Sequence, residues 1–194
     1  MKAVPLGRAA LFFAIVAAGC ALDLATKYAV FERLGRPLHQ HWRLWKNVYF
    51  DASLNEGALF GIGQGLWPVF AGLSILAVLA VLYWLFWAGF ARDLLLTVAL
   101  GLITAGILGN LYDRLGLPGL VWDYDSPLHR AGDPVHAVRD FVLVYVGNWP
   151  WPTFNVADSM LVCGAILLGW HELRRPQAGQ AAGGAQDAGG GVRR

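Results

Sequence analysis

The chain has 194 residues, of which 57% are hydrophobic and 14% charged, and a mean hydropathy of +0.48. Soluble domains carry about 25% charged residues, so much of this chain belongs where charge is costly, and its length suits one domain. A net charge of +2 excludes the basic surface of a nucleic-acid binder, and Cys20 and Cys163, both in apolar runs, suggest neither a disulfide framework nor a metal site.

The first element is the apolar run containing FAIVAAGCALDLATK, Phe13 to Lys27. Taken alone, its basic start (Lys2, Arg8) and the small residues before Cys20 look like a lipoprotein signal ending at its lipidated cysteine. Asp23 and Lys27 argue against that, because the apolar pattern continues past them. The run alone leaves both readings open; three further apolar spans and the ordered motifs quoted below make a retained first helix the expectation, with Cys20 a small buried side chain.

Spanning a bilayer takes about 20 apolar residues, and this length predicts four helices at about 9–31, 67–90, 94–112 and 156–172. The second is rich in Trp and Phe at its ends, as interfacial anchors should be. Only a few residues around Arg92 and Asp93 separate the second helix from the third, which requires an antiparallel hairpin. The fourth helix is short, and Asn155 is its expected cap. Loops of about 32–66 and 113–155 then share one side of the membrane, with the termini and the hairpin turn on the other. Lys2, Arg8, Arg92, Arg174 and Arg175 place the termini in the cytoplasm, although Arg33, Arg36, Arg43 and Lys46 in the first loop weaken that bias. Within that loop, the aromatic and partly alternating stretch from Trp42 to Phe50 reads as β-structure. The tail, Gln177 to Arg194, is Gly- and Ala-rich and is expected to be disordered.

Ionisable residues inside such helices mark candidate sites. Asp23 and Lys27 are four apart and share a face, either as a neutralised structural pair or to position substrate or another residue. Asn55, Gly57 and Gly61 suit a tight turn into the second helix. Gly106 and Gly109 allow close helix packing, and Asn110 and Arg114 face one way. Asp113 reads as an ion-pair partner of Arg114. The sharpest pair is Asp140 and Asp158, which the intervening loop can bring together. Two carboxylates sharing a site cannot both ionise easily, and such a dyad can activate water against a carbonyl. The competing readings are Asp158 as a helix cap and Asp140 paired with Arg139 or Arg114. None of the four serines singled out (Ser53, Ser74, Ser126, Ser159) has the G-x-S-x-G context of a hydrolase nucleophile. His39, His41, His129, His136 and His171 form no convincing ligand set; they read as surface or interfacial residues, and no metal is expected. A proton- or ion-coupled transporter using Asp23, Lys27 and Asp158 would call for more helices or internal repeats. A structural membrane protein would tolerate neutral replacements of both aspartates.

Five segments occur in order: DLATK (Asp23–Lys27), NEGALFG (Asn55–Gly61), GNLYDR (Gly109–Arg114), VRDF (Val138–Phe141) and FNVAD (Phe154–Asp158). Together, over about residues 8–172, they make the chain resemble the bacterial lipoprotein signal peptidases, or signal peptidase II. The resemblance implies an all-α membrane protein of four transmembrane helices with a small extracytoplasmic β-cradle and a long surface loop. It implies a membrane peptidase domain over 1–176 and a disordered tail over 177–194. The implied activity is aspartic endopeptidase cleavage of diacylglyceryl-modified prolipoproteins before the lipidated cysteine, in the bacterial inner membrane, with the active site near the extracytoplasmic face. Asp140 and Asp158 would be catalytic. Asp23, Lys27, Asn55, Gly57, Asn110, Arg114, Asn155 and Ala157 would shape the site or hold substrate. No cofactor or metal is implied, globomycin would inhibit, and the expected partners are prolipoproteins and membrane lipids around a monomer. The chain departs from the pattern in a longer, Pro- and Asp-rich segment at 115–137, expected to be a surface loop or lid, whose Asp123, Asp125 and Asp133 are not assigned to the site. It departs again at Arg139, whose cation is expected to depress the pKa of Asp140.

Overall fold

The computed structural model describes residues 4–34, 41–58 and 62–174. The first helix, α1, covers Leu6–Leu34. Two strands follow, β1 (His41–Trp45) and β2 (Val48–Asn55), and then helices α2 (Trp67–Leu82) and α3 (Leu94–Arg114). After the long loop come β3 (Val138–Val146), β4 (Trp149–Pro150) and α4 (Val156–Leu173). Four of these helical stretches, with α2 continued to Trp87, are long and apolar enough to cross a membrane. The expected tail at 177–194, and with it His39 and Gly61, lies outside the described residues.

Helix α3 is the centre of the bundle. In its most apolar stretch 61% of residues are buried, against 11% in α1, 11% in α2 and 22% in α4. Small residues make this possible, because without a hydrophobic driving force between helices, close backbone approach has to supply the packing. A Cβ on Gly106 would lie 2.5 Å from the Ala157 carbonyl oxygen of α4, and one on Gly164 of α4 would lie 2.7 Å from the Ala99 carbonyl oxygen of α3.

The second helix ends earlier than residue 90. Its α-helical part stops at Leu82 and a π-helical turn carries it to Trp87. Gly89 then adopts φ 79°, a left-handed conformation that breaks the helix at little cost to glycine. Phe90–Arg92 make a single 3-10 turn before Asp93 caps α3, accepting from the Leu96 amide at 2.9 Å.

The term all-α is too narrow for this molecule. The four strands form one antiparallel sheet in the order β1-β2-β3-β4. Aromatic and β-branched residues in alternation drive it, and the β-structure extends past Phe50 to Asn55 and includes a third long strand, β3, that carries Asp140. At 29 residues, α1 is about 40 Å long, more than the roughly 30 Å hydrocarbon layer needs. Its last turns use the surplus to seat the sheet: Val30 and Leu34 pack with Ala52 of β2 and Phe141 of β3. The sheet therefore sits at the end of the bundle where α1 and α3 finish and α2 and α4 begin.

The loop at 115–137 has a core of its own. Trp122, Val135 and Ala137 are buried with Leu54 and Leu120 packed against them. Paired backbone bonds, Trp122 N–H to the Asp133 carbonyl at 2.9 Å and Gly132 N–H to the Trp122 carbonyl at 2.8 Å, fold it back on itself. Asp125 and Asp133 shape the turn by accepting from the amides of Ala131 (2.8 Å) and Arg130 (2.7 Å).

Candidate active site

The site begins with one residue, Asn155. As the cap of α4 it accepts the Asp158 amide on Oδ1 at 2.9 Å, while Asp158 Oδ2 accepts the Asn155 amide at 3.2 Å. This reciprocal capping box satisfies two orphan donors of the helix start and fixes the Asp158 side chain. Asn155 Nδ2 then donates to Asp140 Oδ1 at 2.7 Å and to Asn110 Oδ1 at 3.1 Å. One fully buried amide thus holds a carboxylate of β3 against a carboxylate at the mouth of α4. The capping reading of Asp158 is correct, and it leaves Asp158 Oδ1 for another partner, the Nδ2 of Asn110 at 2.8 Å.

Asp140 receives a second amide, Asn55 Nδ2, at 3.2 Å. The strand register explains this contact. Ser53 of β2 faces Asp140 of β3, so Asn55, two residues on, projects from the same face of the sheet. Asn55 Oδ1 accepts the Gly57 amide at 3.0 Å, and the Gly57 carbonyl accepts Arg114 Nη2 at 3.2 Å. Arg114 lies over the Phe70 ring, 5.3 Å from its centroid. Burial pushes the Asp140 carboxyl from 3.8 up to about 7; the charge of Asp158 pushes the same way, and the amides of Asn55 and Asn155 oppose it. Asp158 is half-buried, so water can reach the pair from its side.

A second polar cluster abuts the first. Lys27 Nζ lies 2.8 Å from Asp23 Oδ2 and 2.9 Å from Asp113 Oδ2, and donates to Asn110 Oδ1 at 3.0 Å. Arg139 pairs with Asp113 at 2.8 Å through Nη2 and 2.9 Å through Nε. Asp23 Oδ1 accepts the Ala157 amide at 2.9 Å, tying α1 to the first turn of α4. The space for Asp23 is made by Gly109, where a Cβ would lie 2.5 Å from Asp23 Oδ2.

All ten candidate residues thus lie in one connected set, but two pairings differ from the sequence reading. Asp113 pairs with Lys27 and Arg139, not with Arg114. Arg139 does not pair with Asp140 and does not depress its pKa, because successive residues of a strand point to opposite faces. Asp113 and Arg139 are the site-supporting residues that the sequence reading missed. The signal was a count of charges: Asp23 and Lys27 alone leave Asp113 and Arg139 to balance each other. The histidines differ too. His129 and His171 are buried, not surface residues, and His171 Nε2 lies 3.0 Å from Asp93 Oδ2 at the far end of the bundle. Cys20 is half-buried inside continuous α1, its Sγ 3.5 Å from the Ala105 carbonyl. Among the described residues no group of three or more His, Cys, Asp or Glu side chains is arranged to hold a metal ion.

Four membrane-length helices, with Asp140 and Asp158 beneath a small sheet at one end, define a multi-pass membrane protein. The family model for signal peptidase (SPase) II matches residues 15–174. The chain is 45% identical over 172 residues to a lipoprotein signal peptidase of Rhodopirellula baltica, covering 86% of this chain and 73% of the relative. It is 35% identical to one of Methylorubrum extorquens, covering 79% and 80%. A bacterial membrane enzyme solved in meso at 2.3 Å superposes with a TM-score of 0.68 at 25% identity, covering 89% of this chain and 91% of that one. A second, solved at 1.9 Å, gives 0.66 at 26% identity, covering 90% and 98%. The chain belongs to the signal peptidase II family of membrane proteases.

Proposed function

We propose that this protein removes signal peptides from diacylglyceryl-modified prolipoproteins, cleaving before the lipidated cysteine, with Asp140 and Asp158 as the catalytic pair. The observation that carries this reading is the Asn155 amide, which bonds Asp140 while its own oxygen and N–H lock Asp158. Every direct partner of the two carboxylates among the described residues is neutral, so the pair retains one proton between them near neutral pH. The ionised member takes a proton from water as the water oxygen attacks the scissile carbonyl carbon. The protonated member donates to the carbonyl oxygen. The tetrahedral species collapses with cleavage of the C–N bond, and the leaving nitrogen takes up a proton.

The remaining assignments follow from the surroundings. Asn55, Asn110 and Asn155 orient the carboxyl groups. Gly57 and Arg114 shape the wall beside Asp140, and Asp23, Lys27 and Ala157 hold α1, α3 and α4 in register. Arg8, Arg92 and Arg174 flank the helix ends away from the sheet, which supports cytoplasmic termini and a site near the extracytoplasmic face of the inner membrane. There a substrate whose signal helix and acyl chains lie in the bilayer meets the pair laterally. In this reading the protein acts as a lipid-embedded monomer.

Cleavage by the purified protein in lipid vesicles, followed by mass spectrometry, tests this function. A lipidated precursor should yield a product starting at its modified cysteine, globomycin should block the reaction, and the unlipidated precursor should stay intact. No cleavage, or equal cleavage of both precursors, would contradict it.

A further inference from the structure

The loop at 115–137 holds a histidine in an unusual state. The His129 ring stacks on Trp122 with centroids 3.7 Å apart and planes 5° from parallel, and the Tyr124 ring meets its edge at 5.1 Å. Its side chain is only 5% exposed. Among the described residues neither ring nitrogen has a hydrogen-bond partner. Glu56 Oε1 lies 3.8 Å from Nε2, too far for a good hydrogen bond. An imidazole carries at least one N–H, and a buried polar group without a partner calls for an explanation.

The ring borders a cavity of about 290 Å³ whose walls include Glu56, Trp67, Trp122, His129, Asp133 and His136. Trp67 stacks on His136 at 3.9 Å, and His136 Nδ1 is held 3.0 Å from the Arg114 carbonyl oxygen. The cavity shares a wall with the active site. Glu56 lies between Asn55, which bonds Asp140, and Gly57, which accepts from Arg114. Apart from Trp67, the first residue of α2, none of these six walls belongs to a membrane-length helix. The cavity therefore lies among the loops at the sheet end of the bundle.

Pockets for drug-sized ligands run from about 300 to 1,000 Å³, and a water molecule takes about 30 Å³ of liquid. This one suits a single side chain with a little water. The carboxylates of Glu56 and Asp133 and the unmet imidazole converge on it, with indole faces as walls. Such a lining favours a flexible side chain ending in several N–H donors, an ammonium or a primary amide. In a precursor whose signal helix lies in the bilayer, only the chain beyond the cleaved bond can reach it.

We propose that this cavity is a specificity subsite for one donor-bearing side chain, Lys, Gln or Asn, in the mature segment of the precursor. The proposal rests on the peptidase reading above. An apolar side chain would leave Glu56 and His129 unpaired, and sites built to bond a donor reject analogues that lack it.

The test uses diacylglyceryl-modified precursors that differ at one early mature position at a time, carrying Lys, Gln or Leu. Each is cleaved by the wild type, Glu56→Gln and His129→Phe, the last retaining a ring on Trp122. At one position the wild type should favour Lys and Gln over Leu by about tenfold in kcat/KM. Both variants should lose most of that preference while cleaving the Leu precursor at the wild-type rate. Equal rates for all side chains at every position would overturn the subsite, as would variants that slow the Leu and Lys precursors alike. Should His129→Phe fail to fold, the partly exposed Glu56 decides the matter through Glu56→Gln. A wild type that cleaves none of the precursors overturns the peptidase reading and the subsite with it.

Discussion

Asp23 and Asp113 each meet a cation: both touch Lys27, and Asp113 also holds Arg139. Asp140 and Asp158, joined to that cluster through Asn110, meet only amides. The same side chain in neighbouring positions is thus given opposite work. Two acids against two bases make a closed, neutral network whose members cannot be removed singly without stranding a buried charge. Two acids against three asparagines make a pair that is relieved by binding a proton, which is the state acid–base chemistry needs.

Breaking the uncompensated pair should have the largest effect on activity and little on folding. Asp140→Asn and Asp158→Asn should each lower precursor cleavage by at least about 100-fold, measured on membrane-inserted protein. Their thermal unfolding should be unchanged or shifted upward. Near-normal cleavage by either variant would remove the distinction between the clusters.

The neutral network should respond the other way. Lys27→Met leaves Asp23 and Asp113 without their shared cation and should destabilise the protein by about 3–5 kcal/mol, read from unfolding in detergent. A smaller loss, about 1–3 kcal/mol by overpacking, is expected for Gly106→Ala, whose new methyl meets the Ala157 carbonyl at 2.5 Å.

The last effect is one of pH. Because the folded-state pKa of Asp140 is raised from 3.8 to about 7, the folded protein binds more protons than the unfolded chain between those values. Its contribution is fully present below about pH 4 and is lost as pH rises through about 7, so stability should fall across that window. Asp140→Asn should flatten that slope, and wild-type cleavage should decline above about pH 7 as the shared proton is lost.

How much of this was legible in the sequence depended on the range of the interaction. The four spans follow from runs of apolar residues, and the end of α2 from Gly89 could have been placed with them. Asp140 and Asp158 stood out as ionisable residues near a helix mouth, but nothing local tells which cation faces which acid. Arg139 sits beside Asp140 in sequence and turns away from it because β3 alternates faces. Asp113 and Arg139 meet only because the sheet is seated on the ends of α1 and α3. The buried state of His129 was equally out of reach, since its stacking partner, Trp122, is supplied by a loop that folds back on itself.

The distinction between the two clusters is tested most directly by infrared spectroscopy of the wild type and Asp140→Asn in lipid across the neutral pH range. A protonated carboxyl band that titrates near pH 7 in the wild type and is missing from the variant is the expected result. A wild type with no such band, or a band that survives in Asp140→Asn, would contradict a proton held by the Asp140–Asp158 pair.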